Sequence, residues 1–182
     1  MTSHRYDDIV ALIRERHAAC GSTTVVAVDG PSGSGKTTFA DELAEVAGGA
    51  VLHLEDLYPG WHGLAATPPM VAHGILEAIA VDGIGTASRW DWVADRPGDT
   101  LRVPPVRLLI LDGVGSGAAV IRPFLSLLIW VEAPTAVRKQ RALARDGGVY
   151  APFWDMWAAQ EETHFRAEET RRHADVVVRT HA

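Results

Sequence analysis

Gly30-Pro31-Ser32-Gly33-Ser34-Gly35-Lys36-Thr37 fits the pattern G-x-x-x-x-G-K-[ST] and decides how the rest of the chain is read. Glycines let the backbone curl so that successive N–H groups point inward, and such a concave row of donors holds phosphate oxygens. A helix starting at Lys36 adds the positive end of its dipole. Lys36 itself supplies a point charge for the outer phosphates, and the Thr37 hydroxyl suits Mg2+. The implied ligand is a nucleoside triphosphate, ATP or GTP.

The motif carries weight only between a strand and a helix, and both are legible. Thr23–Val28 is β-branched and apolar without polar alternation, as expected of a strand covered on both faces in a parallel sheet. Lys36–Ala47 carries Phe39, Leu43 and Val46 at helical spacing and stops at Gly48-Gly49. Outward from there, the spacing predicts helices over Tyr6–Cys20, Met70–Ala80, Pro134–Arg145 and Phe153–Arg172. Strands are expected at Ala50–Leu54, Leu101–Val106, Arg107–Leu111, Leu125–Val131 and Val176–Val178. Alternating strands and helices imply an α/β domain with a mainly parallel sheet and ligands at the carboxyl ends of its strands. Tyr58–Pro69 and Thr86–Asp99 fit no element, so they are expected to be long loops on the substrate side.

Composition narrows the class. The 182 residues favour one domain, 1–182, with no linker or repeat. With 17 Lys+Arg against 23 Asp+Glu the net charge is −6, which disfavours a nucleic-acid surface. No apolar run reaches the roughly 18 to 20 residues that cross a bilayer. Cys20 is the single cysteine and forms no internal disulfide, so a reducing, cytoplasmic setting is expected.

Phosphate chemistry needs carboxylates at neighbouring strand ends. Asp112 leaves the apolar run Leu108-Leu109-Ile110-Leu111 just before Gly113, where it reads either as a metal-side acid or as an ordinary Asp-Gly turn. Asp56, in His53-Leu54-Glu55-Asp56-Leu57-Tyr58, is the preferred base for an attacking hydroxyl, with Glu55 as the alternative. Arg138, Arg141 and Arg145 share one helix face, either as a phosphate-clamping lid or as a solvated basic face. Trp61, Trp90 and Trp92 sit in the two long loops and divide evenly between pocket wall and packing. Trp154 and Trp157 read as core, and Glu161, Glu162, Glu168 and Glu169 as a solvated face paired with arginines. The eight histidines show no ligand spacing, and His53 reads as a core histidine.

These elements together resemble the uridine kinase and phosphoribulokinase-like branch of P-loop kinases. The resemblance runs through Gly30 to Thr38, Glu55-Asp56-Leu57-Tyr58, Trp90-Asp91-Trp92 with Arg96, Asp112-Gly113, and the helix from Arg138 to Asp146. It implies a three-layer P-loop NTPase fold of the nucleoside and nucleotide kinase type, with a mainly parallel five-stranded sheet and a short helical lid over about 134–152. It further implies ATP or GTP with Mg2+, Gly30 to Thr38 and Arg138 on the nucleotide, and Thr37 with Asp112 at the metal. Lys36, Asp56, Arg141 and Arg145 would then be catalytic, with Tyr58, Asp91 and Arg96 facing the acceptor and Trp61 and Trp90 as candidate pocket walls. The chain departs from the pattern at Val93-Ala94-Asp95, which offers no base-reading histidine, and at Asp146-Gly147-Gly148, which runs almost directly to Tyr150. The expected activity is transfer of a γ-phosphate to a small-molecule hydroxyl, a nucleoside first. A nucleoside monophosphate, a sugar or another metabolite alcohol is the alternative acceptor, and a nucleotide-dependent switch ATPase the rival class. A homo-oligomer is compatible with this reading.

Overall fold

The computed structural model describes residues 3–180, and for residues 3–5 and 145–149 the backbone alone. After α1 (Ser3–Glu15) come β1 (Thr24–Asp29), α2 (Lys36–Ala47) and β2 (Ala50–His53). A continuous helical run follows: α3 (Thr67–Val71), a π-helical turn (Ala72–Leu76) and α4 (Glu77–Ala80). Then come β3 (Gly85–Asp91), β4 (Arg96–Val103), β5 (Leu108–Asp112), β6 (Leu127–Glu132), α5 (Thr135–Tyr150), α6 (Trp154–Glu168), α7 (Thr170–His173) and β7 (Val176–Arg179).

The main sheet is five-stranded, ordered β2-β5-β1-β6-β7, and all its pairings are parallel. Because side chains alternate along a strand, each apolar run feeds both faces. Val26 and Val28 of β1 and Leu108 and Ile110 of β5 join Phe39, Leu43, Ile9 and Ile13 of α2 and α1 on one side. Val25, Leu109 and Leu111 join Ile75, Leu76, Ile79, Trp154 and Trp157 on the other. The result is a three-layer α/β arrangement. Each such fully buried Leu, Ile or Phe contributes about 1.5–3 kcal/mol relative to exposure. Among the described residues, no helix is long and apolar enough to cross a membrane.

Three expectations fail for identifiable reasons. Thr86–Asp99 is not a loop: it forms most of an antiparallel hairpin, β3 with β4, separate from the main sheet. Its strands carry mostly exposed residues and a bulge between Ser88 and Trp90, so they lack the alternation by which half-buried strands are recognised. The expected strand Leu101–Val106 is only the end of β4, stopped by Pro104-Pro105. The expected helix Phe153–Arg172 is broken at Glu169, whose φ of 48° is left-handed and whose N–H closes α6 on the Phe165 carbonyl.

Candidate active site

β1 leads straight into the glycine-rich loop, and the loop into the first turn of α2. Gly33 has φ +77°, and a Cβ there would lie 2.2 Å from the Arg138 carbonyl oxygen, so only glycine lets α5 approach the loop. The loop is gripped from outside. Asp29 at the end of β1 is fully buried and accepts N–H bonds from Gly30 (2.7 Å), Gly115 (3.1 Å) and Gly117 (2.9 Å). Burial pushes its carboxyl up to about 7, while the three N–H donors and Lys36 pull it the other way. The carboxylate thereby fixes the loop start against the segment following β5.

Ser32 is held on three sides. Its N–H (2.9 Å) and hydroxyl (2.5 Å) donate to Glu161 Oε1 of α6, and its carbonyl accepts from Arg138 Nη1 at 3.0 Å. Trp157 Nε1 donates to Glu161 Oε1 at 2.8 Å and lies 3.0 Å from the Ser32 hydroxyl. Two residues on, the Ser34 carbonyl accepts from the Thr180 hydroxyl at 2.7 Å, and Thr180 in turn accepts from Arg141 Nη1 at 3.0 Å. Arg138 is therefore fastened to the loop directly and Arg141 through Thr180, and Arg145 lies among the residues whose side chains are outside the described set.

Asp112 ends β5 in register with both Val28 and His53. His53 Nδ1 lies 2.9 Å from Asp112 Oδ2, and its Nε2 is 3.5 Å from Asp41. That bond to Asp112 raises the imidazole pKa against the opposing pull of burial. Oδ1 of Asp112 is buried with no hydrogen-bond partner among the described residues. An orphaned carboxylate oxygen on the same cavity as the Thr37 side chain fits a hard divalent cation or its water.

A cavity of about 940 Å³ opens beside the glycine-rich loop. Its lining includes Ser32, Gly33 and Gly35 through Thr38 of the loop, Asp112 and Arg141, and also Glu55, Asp56, Tyr58, Trp61 and Trp92. Asp56 is half-exposed, with Arg89 of β3 at 3.7 Å. Tyr58 is buried, donates to the Val114 carbonyl at 3.0 Å, and has its phenol pKa pushed well up by burial. Trp61 stacks on Phe153 (4.5 Å between centroids) and Tyr150 (5.3 Å), with Trp92 tilted against it at 5.1 Å. Trp92 also donates from Nε1 to the Glu55 carbonyl, tying the hairpin tip to the segment after β2.

Trp90, Asp91 and Arg96 do not line this cavity. Asp91 Oδ1 instead accepts the N–H groups of Val93 and Ala94, which closes the hairpin turn and holds its carboxyl below the usual range. Trp90 packs against Gly60. Sequence reasoning missed Asp29 and Glu161, and took Trp157 for core alone. Glu161 is 4% exposed, not part of a solvated face. The available signal was its spacing: Trp154, Trp157 and Glu161 fall three and four apart, on one helix stripe.

No protein-family model and no curated protein sequence matches the chain. Solved structures do. A protein named as a possible uridine kinase from Bacillus stearothermophilus superposes with a TM-score of 0.69 at 21% identity, covering 96% of this chain and 97% of that one. A provisionally named fructose transport system kinase from Silicibacter sp. gives 0.60 at 18% identity over 97% and 98%. Shikimate kinase from Acinetobacter baumannii, in complex with shikimate, gives 0.51 at 19% identity over 90% and 87%. Strand order, loop placement and these superpositions agree, and the chain has the fold of the P-loop kinases.

Proposed function

We propose that the protein is a phosphotransferase that moves the γ-phosphate of ATP, or GTP, to a hydroxyl of a small molecule, with a nucleoside as the first acceptor to try. The observation that carries this is the shared cavity: the glycine-rich loop, Asp56 and an aromatic wall open onto one space. A switch ATPase has no need of an aromatic-walled cavity continuous with its phosphate loop. The aromatic rings of Trp61, Trp92 and Tyr150 suit a flat acceptor such as a nucleobase, and the likeness to a possible uridine kinase points the same way.

In this reading the amides from Gly33 to Thr38 and Lys36 hold the β- and γ-phosphates and carry the charge that builds up on the transferring group. Thr37 and Asp112 would hold Mg2+, which supplies further neutralisation of the phosphates. Asp56 accepts the proton of the acceptor hydroxyl as its oxygen bonds to the γ-phosphorus and the bond to the β-phosphate oxygen breaks, releasing the nucleoside diphosphate. Arg141 stabilises the transferring charge from the lid side, with Arg145 assigned to the same task. Trp61 and Tyr58 shape the acceptor compartment.

The test is incubation with Mg2+ and ATP or GTP against nucleosides, nucleoside monophosphates, sugars and other alcohols, following nucleotide release and product mass. A product heavier by one phosphate establishes the reaction and names the acceptor. Hydrolysis that no panel member accelerates, combined with acceleration by a protein partner, overturns it.

A further inference from the structure

Glu161 is a buried carboxylate that the transfer chemistry above does not use, and it is bonded to the phosphate loop itself. All three donors converge on its Oε1: the Ser32 N–H, the Ser32 hydroxyl and Trp157 Nε1. Oε2 lies 4.0 Å from Arg138 Nη1, the group that also holds the Ser32 carbonyl. A buried carboxylate left without such partners is strongly destabilising, so the arrangement holds only when loop, α5 and α6 are docked together. An anion beside a phosphate site also carries a repulsive cost, which the Arg138 guanidinium offsets.

We propose that Glu161 is a positioning residue of the donor site: it fixes the loop conformation that binds nucleotide and makes that conformation depend on the docking of α6. The inference rests on the donor-site reading above. A backbone N–H already given to Glu161 is not available to phosphate, so the phosphate cradle begins at Gly33 and Ser32 acts as its anchored rim. The carbonyl of Ser32 is held from α5 and its N–H from α6, and Gly33 lies against the α5 backbone. Displacing either helix releases Ser32 and lets the following amides turn away from their common focus. Trp157, hydrogen-bonded to both Ser32 and Glu161, reports the state of this joint.

The experiment is a calorimetric titration of the full chain with Mg·ATP, with tryptophan emission and melting temperature recorded in parallel. Glu161→Gln, nearly the same size, is expected to weaken Mg·ATP about tenfold, the scale of losing a charged hydrogen bond. Glu161→Ala is expected to weaken it further. Mg·ATP should also change the emission of the wild-type protein, and Trp157→Phe should remove that change. A merely structural glutamate would lower the melting temperature and leave the affinity of the folded protein untouched. Wild-type affinity in Glu161→Gln therefore overturns the proposal, and that variant decides the matter if Glu161→Ala fails to fold. Lys36→Ala separates the two layers of argument. Wild-type Mg·ATP binding by Lys36→Ala defeats the donor-site reading itself, whereas loss there with full binding by Glu161→Gln defeats only the role of Glu161.

Discussion

The two ends of the cavity are built on different terms. At the loop end, Gly30, Ser32 and Ser34 are each held from outside the loop, by Asp29, by Glu161 with Arg138, and by Thr180. At the aromatic end, the walls are ring against ring, Trp61 on Phe153 and on Trp92, the last at the tip of a hairpin that is largely exposed. Hydrogen bonds to buried backbone leave one geometry, while ring contacts tolerate sliding and resizing. On the function proposed above, a fixed loop end suits one kind of ligand, and an adaptable aromatic end is where the choice of acceptor would be made.

The sharpest way to separate the ends is Asp56→Asn, which should cut transfer about 10²–10⁴-fold while Mg·ATP affinity stays near wild type, as read by turnover and calorimetry on the same sample. Asp29→Asn attacks the loop end. An amide side chain cannot accept all three N–H bonds, so about 1–3 kcal/mol of stability should go, measured by denaturant unfolding, together with nucleotide affinity. Trp61→Phe should raise the acceptor KM about tenfold through lost ring contact and leave the nucleotide KM unchanged. An equal rise in both constants would mean that the ends are not independent.

The smallest effect lies at the end of β6, where Glu132 does not line the cavity. Arg171 and Arg179 hold the Glu132 carboxyl down at about 2, against an ordinary 4.5. A lowered carboxylate pKa contributes stability that is present above about 4.5 and lost as pH falls toward 2. Because the group is solvent-accessible, Glu132→Gln should cost less than about 1 kcal/mol at neutral pH. The gap to wild type should close over that acid range in a series of unfolding curves, with nucleotide affinity unaffected.

The same contrast explains what could be read in advance. Helix α2 was legible to the residue, Lys36 to Ala47, because local rules settle it: a glycine on either side and apolar residues at regular spacing. The buried strands β1, β5 and β6 were legible because continuous apolar runs of that length have few other uses. The hairpin was not, since its polar strands are stabilised by each other and by the helical run beneath, where Gly74 and Gly85 permit backbone contact. Asp56, Asp112 and Trp61 reach one cavity, as local position suggested. Glu161 and Asp29 escaped because the partners that give them their roles, Ser32 for one and Gly115 with Gly117 for the other, lie far off in the chain.

The order of strands also governs how the molecule comes into being. β1 occupies the middle of the sheet, yet its ladder partners are β5, beginning at Leu108, and β6, beginning at Leu127. Every pairing that stabilises it therefore spans a long stretch of chain, and such non-local contacts form slowly. During synthesis from the N-terminus, Thr24–Asp29 emerges as an apolar strand with two open edges and waits for both neighbours to be made. The segment that fixes the phosphate loop is thus the one most in need of shelter in the nascent protein, and α1 and α2, both made before β5, are the elements on hand to cover one of its faces.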